Sequence, residues 1–343
     1  MLWHGALNKR QMPWKGEKDP YKIWLSEIIL QQTRVEQGLN YYQKFIEKYP
    51  TVQLLAGAKD EDVFKLWEGL GYYNRCKNLL FTARLITEKF EAKFPSTFNE
   101  ILQLKGVGNY TAAAIASFAY NLPYAVLDGN VFRVLARIFG INTAIDTPEG
   151  KMFFSNLAND VLDKKNAALY NQAIMDFGAT VCKPANADCN NCVMKKICTA
   201  YKNGTVNELP VKQKTLQRKT RWFYYFVFLC NEKVLVHKRT QKDIWQNLFE
   251  FYLTESERQI LWNNETIKIF LNNQLSIKKY RLQNISPLQK QELTHRQIKG
   301  QFIQIQLLSV PKNLIRHQWI PLKSLSALAF PKFINLYLED RNL

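Results

Sequence analysis

Four cysteines, Cys182, Cys189, Cys192 and Cys198, fall within one short stretch, with six, two and five residues between them. Four thiolates gathered this closely can surround one metal centre. Lys183, Lys195 and Lys196 are threaded among them, so the same loop, once pinned, is a rigid place to meet a phosphate. The other two cysteines, Cys76 and Cys230, are isolated. Six cysteines in 343 residues is ordinary usage. The segment Met1–Arg10 has no apolar run of signal-peptide length, so a reducing compartment is expected, where clustered cysteines bind metal more often than they pair. Structural zinc sites usually join two Cys-x-x-Cys turns. Here only Cys189 and Cys192 have that spacing, which ranks an iron–sulfur cluster ahead of zinc.

Two carboxylates stand in unusual settings. Glu27 lies in IWLSEIIL, and on a helix its neighbours are Ile23, Trp24, Leu30 and Gln31. Apolar neighbours desolvate a carboxyl and raise its pKa, which suits a general acid. The plainer reading is a Glu at the edge of a core helix that accepts a bond from Gln31. Asp128 ends an apolar run in AVLDGNVFRVLAR. Either Asp128 or Asn130 is placed to cap the helix that follows. The alternative is a fixed anion facing a reacting sugar, since an acid paired with an anion is the usual means of breaking a glycosidic bond. Between these segments, Gly106 and Gly108 allow a sharp turn into a helix whose amino terminus favours an anion.

These residues must be positioned by mostly helical structure in residues 1–200. Apolar residues recur there at three- and four-residue spacing, over Ile23–Thr33, Tyr41–Lys48, Glu61–Trp67, Cys76–Phe90, Tyr110–Tyr120 and Asn130–Phe139. Thr97 and Glu100 form a capping box, and Gly140 is a helix stop. Residues 201–221 are polar, basic and broken by Gly204 and Pro210, and read as a linker. Beyond them, Trp222–Cys230 and Lys233–Lys238 read as a hairpin turning at Asn231-Glu232, and Gln301–Leu308 as a later strand. Net charge is +18, of which residues 201–343 carry +13. This balance favours a polyanionic partner such as nucleic acid. The longest apolar run, Trp222–Cys230, is too short to span a bilayer.

The motifs PYKIWLSEIILQQT, LWEGLGYYNR, LKGVGNYTAAAIAS and LDGNVFRVLAR, with the six–two–five cysteine spacing, resemble the helix-hairpin-helix DNA glycosylases. Within them the chain is most similar to the MutY-type adenine DNA glycosylases, and the motifs cover most of residues 13–198. The resemblance implies an all-α catalytic core with a 4Fe-4S cluster held by Cys182, Cys189, Cys192 and Cys198, and a carboxyl-terminal α+β Nudix-like domain. It divides the chain into a helical catalytic domain (1–200), the basic linker (201–221) and the Nudix-like domain (222–343). Within the first, 21–124 would form a six-helix barrel with the hairpin, and 1–20 with 125–200 the cluster subdomain.

The resemblance also assigns roles. Glu27 would protonate adenine at N7, and Asp128 would stabilise the sugar cation, with Tyr110 and Asn130 supporting them. Gln31, Gln32 and Thr33 would approach the lesion strand. Gly106, Val107 and Gly108 would hold a phosphate, and Tyr72 would wedge beside 8-oxoguanine. The substrate would be double-stranded DNA with adenine opposite 8-oxoguanine or guanine, bound by a monomer in the cytoplasm, near the nucleoid in a bacterium, with no membrane partner.

Two departures carry information. Endonuclease III-type enzymes, which share the cluster, carry a lysine that cuts the strand through a Schiff base. Tyr110 stands at that position and Phe132 where some relatives have another lysine, so a monofunctional glycosylase is expected. In the carboxyl-terminal domain, KVLVHKRTQKDIWQNLFEF resembles the Nudix hairpin and its Trp loop, but the closely spaced magnesium-binding glutamates are missing. A recognition module, not a pyrophosphatase, is the expectation. The family's Phe-Ser-His element is replaced by Leu293-Thr294-His295, which keeps a hydroxyl at Thr294 and the imidazole at His295. The rival readings are an endonuclease III-like glycosylase/lyase for oxidised pyrimidines and a non-catalytic iron–sulfur DNA-binding protein.

Overall fold

A computed structural model describes residues 12–213 and 218–341. The chain divides into two compact units, Met1–Ala58 with Lys77–Lys214, and Lys59–Cys76 with Thr215–Leu343.

The first unit is helical. Its elements are α1 (Pro20–Leu30), α2 (Val35–Lys48), α3 (Val52–Ala56), most of α5 (Tyr73–Lys89), α6 (Phe98–Leu102), α7 (Asn109–Tyr120), α8 (Gly129–Phe139), α9 (Pro148–Asp160), α10 (Ala167–Thr180) and α11 (Thr199–Asn203). The ends follow local chemistry. Asp19 caps α1 by accepting from the Tyr21 amide, with Pro20 pre-set for the first turn. Thr97 caps α6, and α8 stops at Gly140 in the left-handed region. Helix α1 is buried on nearly all sides, from Tyr21 through Ile29, so Glu27 has no solvated face to occupy.

One apolar cluster joins Ala113 and Ala114 of α7 to Val131 and Leu135 of α8, Phe154 of α9, and Ala200 and Leu209. The segments either side of residue 125 therefore share a core. Val206 and Val211 also pack against it, so part of the stretch expected as linker is a wall of the helical unit. Its few apolar residues are spaced too irregularly to announce this.

The second unit is a mixed sheet between helices. The strands are β1 (Lys219–Cys230), β2 (Lys233–Lys238), β3 (Phe249–Glu250), β4 (Tyr252–Ser256), β5 (Tyr280–Ile285), β6 (Gln289–Glu292), β7 (Arg296–Leu307) and β8 (Gln318–Pro321), in the order β3-β2-β1-β7-β5 with β4, β6 and β8 pairing off that path. β1 and β7 run parallel, and β1 meets β2 across Asn231 and Glu232, both at positive φ as a two-residue hairpin turn requires. β1 reads as an unbroken apolar run because both its faces are covered. Tyr224, Phe226 and Phe228 pack on α12 (Asn264–Leu275). Tyr225 and Phe302 meet Phe333 and Tyr337 of α13 (Lys332–Arg341).

The segment Lys59–Cys76, with α4 (Asp60–Trp67), belongs to this second unit. Lys65 Nζ donates to the Leu328 carbonyl at 2.9 Å, the Phe330 amide donates to Glu68 at 2.7 Å, and Lys238 pairs with Glu61 at 2.7 Å. No helix among the described residues is long and apolar enough to cross a membrane.

Candidate active site

A cavity of about 1000 Å³ opens in the helical unit and is lined by both carboxylates, Glu27 and Asp128, together with Tyr110 and Asn130. Gln31, Gln32 and Thr33, which follow α1, line the same cavity.

Glu27 is 7 % exposed. Burial pushes its carboxyl up to about 7, a hydrogen bond with Tyr110 partly opposes this, and the nearby charge of Asp128 adds to the rise. It therefore holds its proton well above the ordinary carboxyl range and exchanges it near neutral pH. The Gln31 amide donates to Thr111 Oγ1 at 3.2 Å. Tyr110 is half-buried, and its hydroxyl is held neutral by desolvation and by both carboxylates.

Asp128 caps α8, and the cap is also the cavity wall. Oδ1 accepts from the Val131 amide at 2.7 Å, and Oδ2 from Asn130 Nδ2 at 2.8 Å. Burial raises its pKa, against these bonds and the charge of Arg133. Capping and a place on the cavity wall are thus not alternatives, because the bonds that cap the helix also fix the carboxylate.

Arg133 and Arg137, one turn apart on α8, carry this order onward. Arg133 donates to Asn130 Oδ1 and the Gly178 carbonyl, each at 2.7 Å, and to the Cys182 carbonyl at 2.7 Å. Gly178 permits the approach: a Cβ there would stand 2.7 Å from that of Asn130. Arg137 donates to the Lys183, Pro184 and Leu209 carbonyls and lies 3.4 Å from Cys182 Sγ. Sequence reasoning missed both arginines, since an i, i+4 basic pair normally reads as a solvated face. Their signal is that the intervening residues, Val134 to Ala136, are all buried.

Cys182, Cys189, Cys192 and Cys198 line one small pocket beside Arg137. No three His, Cys, Asp or Glu side chains among the described residues are gathered tightly enough to hold a single metal ion.

The hairpin joins α6 to α7. Gly106 has φ +83° and lies against Asn78, while Gly108 occupies the cap of α7 without a side-chain bond to its amides. Val107 is buried, and Thr82 holds the Lys105 carbonyl at 3.0 Å. Tyr72, Thr294 and His295 belong to the second unit. Tyr72 is 43 % exposed at positive φ, its hydroxyl hydrogen-bonds Thr294 Oγ1, and its ring carries the Arg75 guanidinium 5.3 Å away. His295 is exposed.

Comparison with known proteins defines the class. Residues 25–156 match the HhH-GPD superfamily of base excision DNA repair proteins, and residues 224–340 match the NUDIX domain. A solved thermostable thymine-DNA glycosylase superposes with a TM-score of 0.54 at 29 % identity, covering 57 % of this chain and 91 % of its own. The adenine DNA glycosylase of Buchnera aphidicola subsp. Schizaphis graminum is 37 % identical over 73 % of this chain and 72 % of its own. That of Buchnera aphidicola subsp. Baizongia pistaciae is 32 % identical over 96 % and 92 %. The chain belongs to the adenine DNA glycosylases, enzymes of base excision repair that hydrolyse N-glycosidic bonds.

Proposed function

We propose that this enzyme removes adenine placed opposite 8-oxoguanine or guanine in duplex DNA and leaves an abasic site. The observation that carries the reading is the single cavity in which a protonated carboxyl, Glu27, and a bonded carboxylate, Asp128, share Tyr110 as a common neighbour. A base inside a duplex is out of reach, so the nucleotide is flipped into the cavity. Glu27 gives its proton to N7 as the C1′–N9 bond breaks, and the bonding pair leaves with the purine. Asp128 offsets the positive charge on the sugar, water adds at C1′, and its proton passes to a carboxylate. Tyr110 brings no amine, which supports hydrolysis without strand cleavage.

The hairpin amides at the start of α7, with no side-chain cap at Gly108, suit a backbone phosphate. The exposed Tyr72–Thr294 pair suits a contact with the partner base. Cys182, Cys189, Cys192 and Cys198 would hold a 4Fe-4S cluster. An all-sulfur donor set around one pocket, beside the positive charge of Arg137, fits a thiolate-held iron–sulfur centre. When bound, that cluster would cross-link the loop that Arg133 ties to Asn130.

Incubation with an 8-oxoguanine:adenine duplex tests the proposal. Free adenine should appear, with strand breakage only after alkali. Breakage without alkali, or release of an oxidised pyrimidine in place of adenine, would replace this reading by the glycosylase/lyase one.

A further inference from the structure

The hairpin that Gly106 and Gly108 form is seated on one side of α5, and that seat holds a charge the proposed hydrolysis does not use. Thr82 Oγ1 donates to the Lys105 carbonyl at 3.0 Å. One turn earlier on α5, Asn78 lies against Gly106, where an added Cβ would stand 2.9 Å from the Asn78 Cβ. Between these two, the Phe81 ring is 48 % exposed and carries the Lys105 ammonium 4.3 Å from its centroid. We propose that Phe81 is a positioning residue that holds Lys105 ready as a charged contact to the DNA backbone, beside the hairpin amides. The inference rests on the hairpin as a phosphate contact, and not on which base is released.

Order and free charge both point this way. A lysine side chain loses much rotamer freedom when a ligand fixes it. An aromatic ring under the ammonium sets that geometry before DNA arrives, and it covers only one side of a group with three N–H donors. The remaining donors are open to phosphate oxygens. Among the described residues no carboxylate pairs with Lys105, whereas Lys15, Lys22 and Lys65 of the same chain each hold one, at 2.6, 3.3 and 2.6 Å. Contact with a phosphate therefore breaks no ion pair. A single exposed aromatic residue is ordinary on a protein surface. This one differs in standing between two residues that hold the same hairpin, so that ring and lysine share one rigid seat.

The test measures binding of the full-length enzyme, over a range of salt, to a duplex with a 2′-fluorinated adenosine opposite 8-oxoguanine, whose fluorine blocks base release. Lys105→Gln should weaken binding and make the slope of log affinity against log salt shallower by about 0.9, the share of one phosphate contact. Phe81→Leu keeps the apolar bulk but removes the π face, and should weaken binding about two- to fivefold. Phe81→Tyr retains the ring and should bind as wild type does. In a Lys105→Gln background the Phe81→Leu loss should disappear, because the ring acts through the ammonium. An unchanged salt slope in Lys105→Gln would overturn the proposal. So would a Phe81→Leu loss that is equal with and without the lysine, or one that Phe81→Tyr shares, and Phe81 would then be a surface residue of α5 and no more. A wild-type enzyme that does not bind the duplex would instead overturn the proposed function itself.

Discussion

Glu27 in the helical unit and Asp243 in the sheet unit are both drawn away from solvent, and their surroundings drive them in opposite directions. Around Glu27 the helix offers apolar side chains and one hydroxyl, and burial lifts the carboxyl to about 7. Burial also works to raise Asp243, but there it is overcome. Arg221 gives it two bonds, at 2.8 and 2.7 Å, and the Ile244 amide and Arg296 add to them, so its pKa falls below the usual carboxylate range. Arg239 reaches the same carboxylate at 3.1 Å and continues to Glu250. A carboxyl buried without a cation keeps a proton to give, while one buried among arginines keeps its charge and serves as a knot. The helical unit has buried arginines too, but spends Arg133 and Arg137 on carbonyls and the cysteine loop, leaving the Glu27 proton in place.

The largest effect should come from removing that proton. Glu27→Gln should lower single-turnover adenine release by roughly 10²–10⁴-fold, the range for a general acid, with DNA affinity retained. An unchanged rate would take Glu27 out of its role. In the wild type the rate should fall with pH above about 7, where Glu27 ionises. Stability carries the same signature. The folded pKa lies above the ordinary 4.5, so the folded state binds the proton more tightly, and stability falls as pH rises from 4.5 to 7. Denaturant melts should therefore show Glu27→Gln close to wild type near pH 4.5 and roughly 3 kcal/mol more stable at pH 8.

Much of this was legible in the sequence, because the legible parts are local. The cysteine spacing, the apolar neighbours of Glu27, the Gly-x-Gly turn and the hairpin at Asn231-Glu232 each declare themselves within one short stretch of chain. What stayed hidden depends on partners far along the chain. Arg133 and Arg137 make sense only once the carbonyls of 178–184 and 209 are beside them. Asp176 pairs with Lys15 across some 160 residues, and no periodicity announces an ion pair of that reach. The segment 59–76 looks like the rest of the helical half, and bonds over long reaches of chain, such as those from Lys65 and Glu68 to residues 328–330 and from Glu61 to Lys238, assign it to the other unit. Asp128 shows why a sequence reading left two choices open. Capping and the proposed catalysis ask for the same residue at the same place, and the capping bonds leave the carboxylate on the cavity wall.

The opposite slope should appear at Asp243. Asp243→Asn removes an anion shared by Arg221, Arg239 and Arg296. Glu255 and Glu250 remain as partners for the first two, and the site is about a quarter exposed, so the loss should be moderate, about 1–2 kcal/mol at pH 7. The folded pKa is depressed, so this contribution is present above the unfolded value near 4 and is lost as pH falls below it. As pH rises, wild type should thus gain stability over Asp243→Asn, whereas between about pH 4.5 and 7 it should lose stability relative to Glu27→Gln. If wild type gained on both variants, or lost to both, as pH rose, the contrast between an isolated and a knotted carboxylate would not hold.

The smallest effect tests what the sheet unit shows to the outside. The hydroxyls of Tyr72 and Thr294 pair with each other on a surface where Tyr72 is open to solvent, and a neutral hydrogen bond there contributes about 1 kcal/mol. Tyr72 sits at positive φ, a conformation that an aromatic residue adopts only under constraint, and its hydroxyl bonds the Thr294 side chain. Thr294→Val keeps the shape and removes that partner. It should reduce the preference for adenine opposite 8-oxoguanine over adenine opposite guanine by about two- to tenfold, with the rate on the guanine pair nearly unchanged. A uniform loss on both duplexes would mean that the pair only steadies its own unit. An unchanged ratio in Thr294→Val but a reduced one in Tyr72→Phe would place the reading in the tyrosine hydroxyl alone.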